Sequence, residues 1–268
     1  MKTGTITGAI IGDTIGSIYE FNPTKDYNFE IMNSRMTYTD DSITTIAVAD
    51  WILHDKTLSH SSLIKRLHEW CNKYPYPMGG YGNMFFRWIL NKETQPYNSW
   101  GNGSAMRVSP IGFAFDTIEE TLHVAQISAE ITHNHPEGIK GAQATAAAIF
   151  LARNNSSKEE IRQYITNTFG YNLNFTCDDI RSKYSFEGSC QETVPQSLVA
   201  FLDSNSFEDA IRLTISLGGD ADTMGAITGA VAAAYYKNIP HVLVDFTLDT
   251  VPHDLRKIID KFETTYTL

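Results

Sequence analysis

The chain has 268 residues, with 21 Lys and Arg against 31 Asp and Glu, and its formal charge of −10 disfavours a nucleic-acid partner because the basic residues are scattered rather than gathered on one run. Apolar residues make up 42% and charged residues 19%, which excludes a disordered chain and leaves enough apolar material for one large core over residues 1–268. Three cysteines, Cys71, Cys177 and Cys190, match neither a disulfide framework nor a zinc spacing; they read as buried thiols in a reducing cytoplasm.

In chain order, the apolar spacing of three and four predicts helices at about 4–20, 42–54, 60–74, 117–132, 137–153, 158–169, 194–203, 207–217, 223–237 and 252–265. The first segment is interrupted by Thr5, Thr7, Asp13 and Thr14, so it reads as a helix rather than a signal peptide, and no apolar run is long enough to span a membrane. Pairs such as Asp116 with Glu119, Ser157 with Glu160, Thr176 with Asp179 and Ser206 with Asp209 have the spacing of helix caps. Gly170 and Gly218 stand where helices should stop. Tyr171, Leu173 and Phe175 alternate over too short a stretch to predict a sheet. The fold class is therefore all-α, in one domain.

Two of these helices have unusual compositions. Gly4, Gly8, Gly12 and Gly16 recur every four residues in the first, and Gly225, Ala226, Gly229 and Ala230 give the late helix a slim surface. Each interior glycine costs up to about 1 kcal/mol relative to Ala, so close packing of two backbones must compensate. Glu20 follows the first helix, and Asp220 with Asp222 precedes the other.

The chemistry concentrates in Thr39-Asp40-Asp41-Ser42 and in Gly218-Gly219-Asp220-Ala221-Asp222-Thr223, each just before an apolar helix. Any one of these residues reads as a cap, but a cap needs one side chain, whereas two helix starts here carry four carboxylates. If the clusters meet, like charges about 4 Å apart repel by about 4 kcal/mol at an effective dielectric of 20, and cations are required. Two divalent ions balance four Asp, and a set without His or Cys suits hard ions such as Mg²⁺ or Mn²⁺.

These residues resemble the ADP-ribosylglycohydrolases, the family of the dinitrogenase reductase activating glycohydrolase and the ADP-ribosyl-acceptor hydrolases. The resemblance spans nearly the whole chain. It rests on Gly12-Asp13 with Glu20, Thr39-Asp40-Asp41-Ser42, Gly80-Tyr81-Gly82, Gly101-Asn102-Gly103-Ser104-Ala105-Met106-Arg107, Thr132-His133-Asn134-His135-Pro136 and the segment from Gly218 to Gly225, in that order. It implies an orthogonal all-α fold and a binuclear centre that grips the ribose of an ADP-ribosyl group. Thr39, Asp40, Asp41, Asp220, Asp222 and Thr223 fall on the metal-ligand positions, and Glu20 on that of the acidic residue near the scissile bond.

The resemblance implies substrate contacts at Gly80, Tyr81, Gly82, Gly101, Asn102, Gly103, Ser104, Met106, Arg107 and His133. Glycines at 101 and 103 suit backbone N–H groups that face a diphosphate. Arg107 fits phosphate neutralisation and an internal ion pair equally, and Tyr81 and Trp100 fit an adenine stack or ordinary packing. His133 and His135 lack the partners of a zinc site. Asp13 reads as a structural acceptor. The implied activity is metal-dependent hydrolysis of the glycosidic bond between ADP-ribose and an arginine- or serine-type acceptor, on a protein or a small ADP-ribosyl substrate. Two alternatives stay open: a non-catalytic ADP-ribose binder or crystallin-like protein on the same fold, and a different binuclear hydrolase such as a phosphoesterase.

Overall fold

The computed structural model describes residues 5–266. Among them the helices are, in chain order, α1 (Thr7–Gly16), α2 (Asp40–His54), α3 (His60–Lys73), α4 (Asn83–Leu90) and α5 (Gly103–Met106). There follow α6 (Ser109–Ala114), α7 (Ile118–Glu130), α8 (Pro136–Arg153), α9 (Lys158–Phe169) and α10 (Cys177–Arg181). The last are α11 (Cys190–Asp203), α12 (Phe207–Ile215), α13 (Ala221–Tyr236), α14 (His241–Thr250) and α15 (His253–Thr265). No strand forms among the described residues, and β pairing is limited to isolated bridges between Thr39 and Met78 and between Gly101 and Ser189. The all-α expectation holds.

The glycines of α1 and α13 set the centre. A methyl placed on Gly12 would come closer than 3.0 Å to the Gly225 carbonyl oxygen, and one on Gly8 would meet the Gly229 oxygen at 2.5 Å. The two backbones thus touch with no side chain between them, which offsets the helix-propensity cost of the glycines through contact along the whole interface. Every residue of α1 is buried. Gly4, the first of the expected row, lies outside the described residues. Helices α8, α11 and α12 pack on α13, while α3, α6 and α15 pack on α2.

No side chain of its own caps α1, and the last helix supplies one. The buried Glu263 carboxylate accepts from the Thr5 and Thr7 amides and from Thr7 Oγ1, at 2.7–3.2 Å. A carboxylate at a helix N-terminus is favoured by the amide dipoles, so one contact both satisfies orphan donors and ties the two ends of the described chain.

Several helix limits differ from expectation. α1 stops at Gly16, where its last turn gives way to the loop that carries Glu20, rather than continuing to 20. Thr117, not Asp116, caps α7, its hydroxyl accepting from the Glu120 amide. The Ser157–Glu160 and Thr176–Asp179 boxes form as spaced, and Ser206 accepts from the Asp209 amide. α11 starts at Cys190, ahead of Pro195, because a proline in the second turn removes one hydrogen bond without stopping the helix. The apolar periodicity does not predict helices α4, α5, α6, α10 and α14; three of them have fewer than eight residues, too short for a pattern. Gly170 adopts φ +71 at the end of α9 as expected of a left-handed stop, and the three cysteines are buried free thiols.

Candidate active site

The α1–α13 contact brings the two acid clusters together. Asp13 sits on α1 one residue beyond Gly12, and its carboxylate accepts from Thr39 N and Oγ1 at 3.0 and 2.6 Å, from Ser42 N at 3.1 Å and from Ser42 Oγ. Both oxygens are thereby engaged, and Asp13 fixes the start of α2 against the central pair. Thr39 also caps α2, its Oγ1 accepting from the Asp41 amide at 3.2 Å. Across the gap, Thr223 Oγ1 on α13 lies 3.4 Å from Asp41 Oδ2.

At the start of α13, Asp220 makes no side-chain cap bond, so capping leaves its carboxylate unexplained. Its Oδ2 accepts instead from Asn102 Nδ2 at 2.7 Å, and the same amide donates to Thr193 Oγ1 at 3.2 Å. Oxygens of Asp13, Asp41 and Asp222 gather within 4.8 Å of one another, and those of Glu20, Asp220 and Asp222 form a second such group that shares Asp222.

This concentration of acid is electrostatically unfavourable by itself. Burial, followed by the Asp222 charge, pushes Glu20 up to about 8; burial holds Asp220 near about 6, and it holds Asp40, Asp41 and Asp222 well above the carboxylate range. No Lys or Arg forms an ion pair with these five among the described residues. Asp41 Oδ1 and Glu20 Oε2 are buried without a hydrogen-bond partner. Orphaned oxygens in an all-oxygen donor set fit a hard divalent cation, which would supply the missing charge.

A cavity of about 350 Å³ opens over the acid floor. Of the sequence-predicted residues, Glu20, Asp40, Asp41, Asp220, Asp222 and Thr223 line it on one side. Gly80, Gly82, Gly101, Asn102, Gly103, Met106, Arg107 and His133 line the rest. Thr39, Tyr81 and Ser104 do not. Thr39 is buried with its hydroxyl donating to Asp13; Tyr81 Oη donates to the Tyr74 carbonyl at 2.7 Å, and its ring packs on Phe85; Ser104 Oγ donates to Gly138 O at 2.7 Å and pins α5 to α8.

Two bridges hold the walls in place. Met78 pairs with Thr39 and places the loop that includes Gly79, whose φ of +76 suits glycine, against Glu20; a methyl there would collide with Glu20 Oε2. Gly101 pairs with Ser189, and Asn102 N donates to Gly188 O at 2.9 Å, while Gly101 N donates to Ser99 Oγ at 3.1 Å. The amides of Gly101 and Asn102 are thus used internally. Below the loop, His133 Nδ1 meets Thr132 Oγ1 at 2.8 Å, and burial followed by the Arg107 charge holds the imidazole neutral, well below its usual range.

Of the two roles that the sequence leaves open to Arg107, the ion pair with an acid does not form among the described residues. The guanidinium donates to the Ser128 carbonyl at 3.0 Å and to Thr132 Oγ1 at 2.7 Å, and burial lowers its pKa to about 10. Nε has no partner and the group lines the cavity, so a donor remains for an anionic ligand. Sequence reasoning missed Asn83, Met84, Phe85, Tyr97, Ser99, Phe186 and Gly188, which also line the cavity. Most lie in loops without periodicity or charge, and no local signal marked them.

Comparison with known proteins bears on the family and the fold. A family model described as ADP-ribosylglycohydrolase matches residues 3–267. The human protein called ADP-ribosylhydrolase ARH3 is 23% identical over 337 residues, covering 98% of this chain and 90% of its own. The Pseudomonas putida protein called ADP-ribosylarginine hydrolase Tri1 is 27% identical over 267 residues, covering 87% of this chain and 70% of its own. A solved structure described as an ADP-ribosylglycohydrolase-related protein complex superposes with a TM-score of 0.72 at 22% identity, over 97% of this chain and 93% of that one, so the fold is shared. With a family match across nearly all of its length and the fold to accompany it, the chain belongs to the ADP-ribosylglycohydrolase family.

Proposed function

We propose that the chain is a metal-dependent hydrolase that releases ADP-ribose from an acceptor side chain of arginine or serine type. The observation that carries this reading is the convergence of Glu20, Asp220 and Asp222 at the floor of a cavity also walled by Gly101–Gly103, Arg107 and His133. Relatives named for ADP-ribosyl hydrolysis support the choice of reaction over phosphoester cleavage.

Thr39, Asp40, Asp41, Asp220, Asp222 and Thr223 would hold two Mg²⁺ or Mn²⁺ ions. Bound there, such ions polarise hydroxyl groups and stabilise negative charge on oxygen. The chain's own residues supply the rest. Glu20, beside the acid floor, takes a proton from water or from a ribose hydroxyl, the water oxygen adds to the ribose carbon as the glycosidic bond breaks, and the acceptor leaves with the proton. Asn102 holds Asp220 in orientation through its amide. Arg107 Nε and the loop around Gly103 address the diphosphate, and neutral His133 props that loop from below. The residues over 1–268 act as one domain in this account.

The test is a pair of peptides ADP-ribosylated on arginine or on serine, incubated with Mg²⁺, Mn²⁺ or chelator. The expected product is free ADP-ribose, lost on chelation. AMP or phosphate as product would point to a phosphoesterase, and tight binding without turnover to a non-catalytic reader.

A further inference from the structure

Two exposed aromatic rings meet at the mouth of the cavity, and core packing does not explain them. Phe21 is 71% exposed and Phe186 48% exposed, yet their centroids lie 6.2 Å apart with planes only 23° from parallel. Single apolar side chains in water are ordinary; two from distant loops brought into a near-parallel, offset pair beside a charged cavity are a built feature. Phe21 follows Glu20 directly in the chain, and Phe186 lines the cavity.

The loops that carry the rings are anchored. Lys25 Nζ donates to the Tyr184 carbonyl at 2.6 Å and to the Leu217 carbonyl, so one ammonium ties the Phe21 loop to the Phe186 loop and to the turn before Asp220. Tyr184 Oη in turn donates to Glu192 O at 2.7 Å, at the start of α11. The pair is therefore fixed relative to the acid floor.

Position and charge together select an occupant. The bond to be broken lies at Glu20, and the diphosphate side of the cavity is the Gly101–Gly103, Arg107 and His133 wall, so the acceptor leaves past Phe21. Among the cavity-lining residues the sole Lys or Arg is Arg107, which is buried, while five are carboxylic acids; the Lys25 ammonium beside the loops is committed to the Tyr184 and Leu217 carbonyls. A planar guanidinium stacks on aromatic faces and is attracted by their quadrupole, whereas a serine-linked acceptor brings neither charge nor plane. We infer that Phe21 and Phe186 form the acceptor subsite and select an arginine side chain; this rests on the reading of the cavity as an ADP-ribosyl hydrolase site.

Binding is tested without turnover in the Glu20→Gln protein with Mg²⁺, by calorimetry with free ADP-ribose and with one peptide ADP-ribosylated on arginine or on serine. The arginine-linked peptide should bind about threefold to tenfold more tightly than the serine-linked one, the range of a cation–π contact that is partly exposed. Phe21→Ala and Phe186→Ala should each remove most of that advantage and leave free ADP-ribose affinity within about twofold, while Phe21→Tyr should keep it. In the wild-type background the same alanine variants should raise KM for the arginine-linked peptide with little change in kcat. An advantage that is absent, or that survives both alanine variants, overturns the inference and leaves the hydrolase reading intact. A parallel loss of free ADP-ribose affinity would assign the rings to the nucleotide instead. Failure of all three ligands to bind would overturn the hydrolase reading and this inference with it.

Discussion

Thr223 Oγ1 stands 3.4 Å from Asp41 Oδ2, although 182 residues separate them in the chain. The contact joins the first turns of α2 and α13, and it exists because Gly12 and Gly225 let α1 and α13 touch while Asp13 holds Thr39 and Ser42. Structural glycines and acidic residues thus serve one end: the frame sets the spacing of the site.

That dependence makes Gly12 a sensitive position. In an ordinary helix Gly→Ala gains up to about 1 kcal/mol, but here the added methyl overlaps the Gly225 carbonyl. Overpacking of this kind costs about 1–3 kcal/mol or more. Gly12→Ala should lower Tm and reduce activity together, because the helix pair must separate and carry Asp222 away from Asp41. A thermal melt beside a rate assay checks this; an unchanged Tm would show that the two backbones are not in contact.

Glu20 separates binding from chemistry. Glu20→Gln keeps the shape of the side chain and removes its proton exchange, so ADP-ribose affinity should stay within about tenfold, or ~1.4 kcal/mol. The rate of ADP-ribose release at saturating cation should fall at least about a hundredfold, the lower range for a general acid or base. Equal losses in both quantities would make Glu20 a ligand-positioning residue.

Away from the site, Asp55 gives a pH-dependent contribution to stability. Its carboxylate accepts from Thr57 Oγ1 and N at 2.6 and 2.8 Å and from Ser59 N and Oγ at 2.9 Å, and the Thr57 hydroxyl leads in holding it well below the usual range. A depressed folded-state pKa stabilises the fold above the unfolded value, about 3.9, and that stabilisation is lost as pH falls through the folded value. Asp55→Ala should therefore melt below wild type at neutral pH, with a gap that narrows in acid below about pH 4. A gap constant across that window would contradict the assignment.

Recognition should be local, because the chain carries −10 and offers no basic run to attract a diphosphate from a distance. ADP-ribose affinity should then vary weakly with salt. Removal of the cations should weaken ADP-ribose binding more than AMP binding, since AMP lacks the distal ribose; an equal effect in calorimetry would place the cations elsewhere.

The sequence made the central helices and the acid floor legible because each left a chemical mark: glycines every four residues in α1, and carboxylates in excess of what helix starts need. The roles of individual loop residues were less visible. Asn102 reads from its motif as a substrate contact, yet its amide is committed to Asp220 and Thr193, a partnership set by α11 and α13 far along the chain. Tyr81 reads as a cavity aromatic, yet its hydroxyl turns to Tyr74 O. Phe186 and Gly188 left no mark, for they reach the cavity through long-range contacts, the Gly101–Ser189 bridge and the Lys25 bond to Tyr184 O. The Glu263 cap on α1 was equally hidden, being a match between the two ends of the described chain.

The central claim is that the Thr39–Asp41 and Asp220–Thr223 segments form one cation centre on which ADP-ribose release depends. It is tested most directly by titrating Mn²⁺ into wild type, Asp41→Ala and Asp220→Ala, following bound cation and ADP-ribose release in the same samples. Wild type should bind two cations per chain, gain Tm as they bind and release ADP-ribose; each variant should stay helical and lose both the cation-linked gain and the turnover. A fully active Asp220→Ala protein, or turnover indifferent to exhaustive chelation, would contradict it.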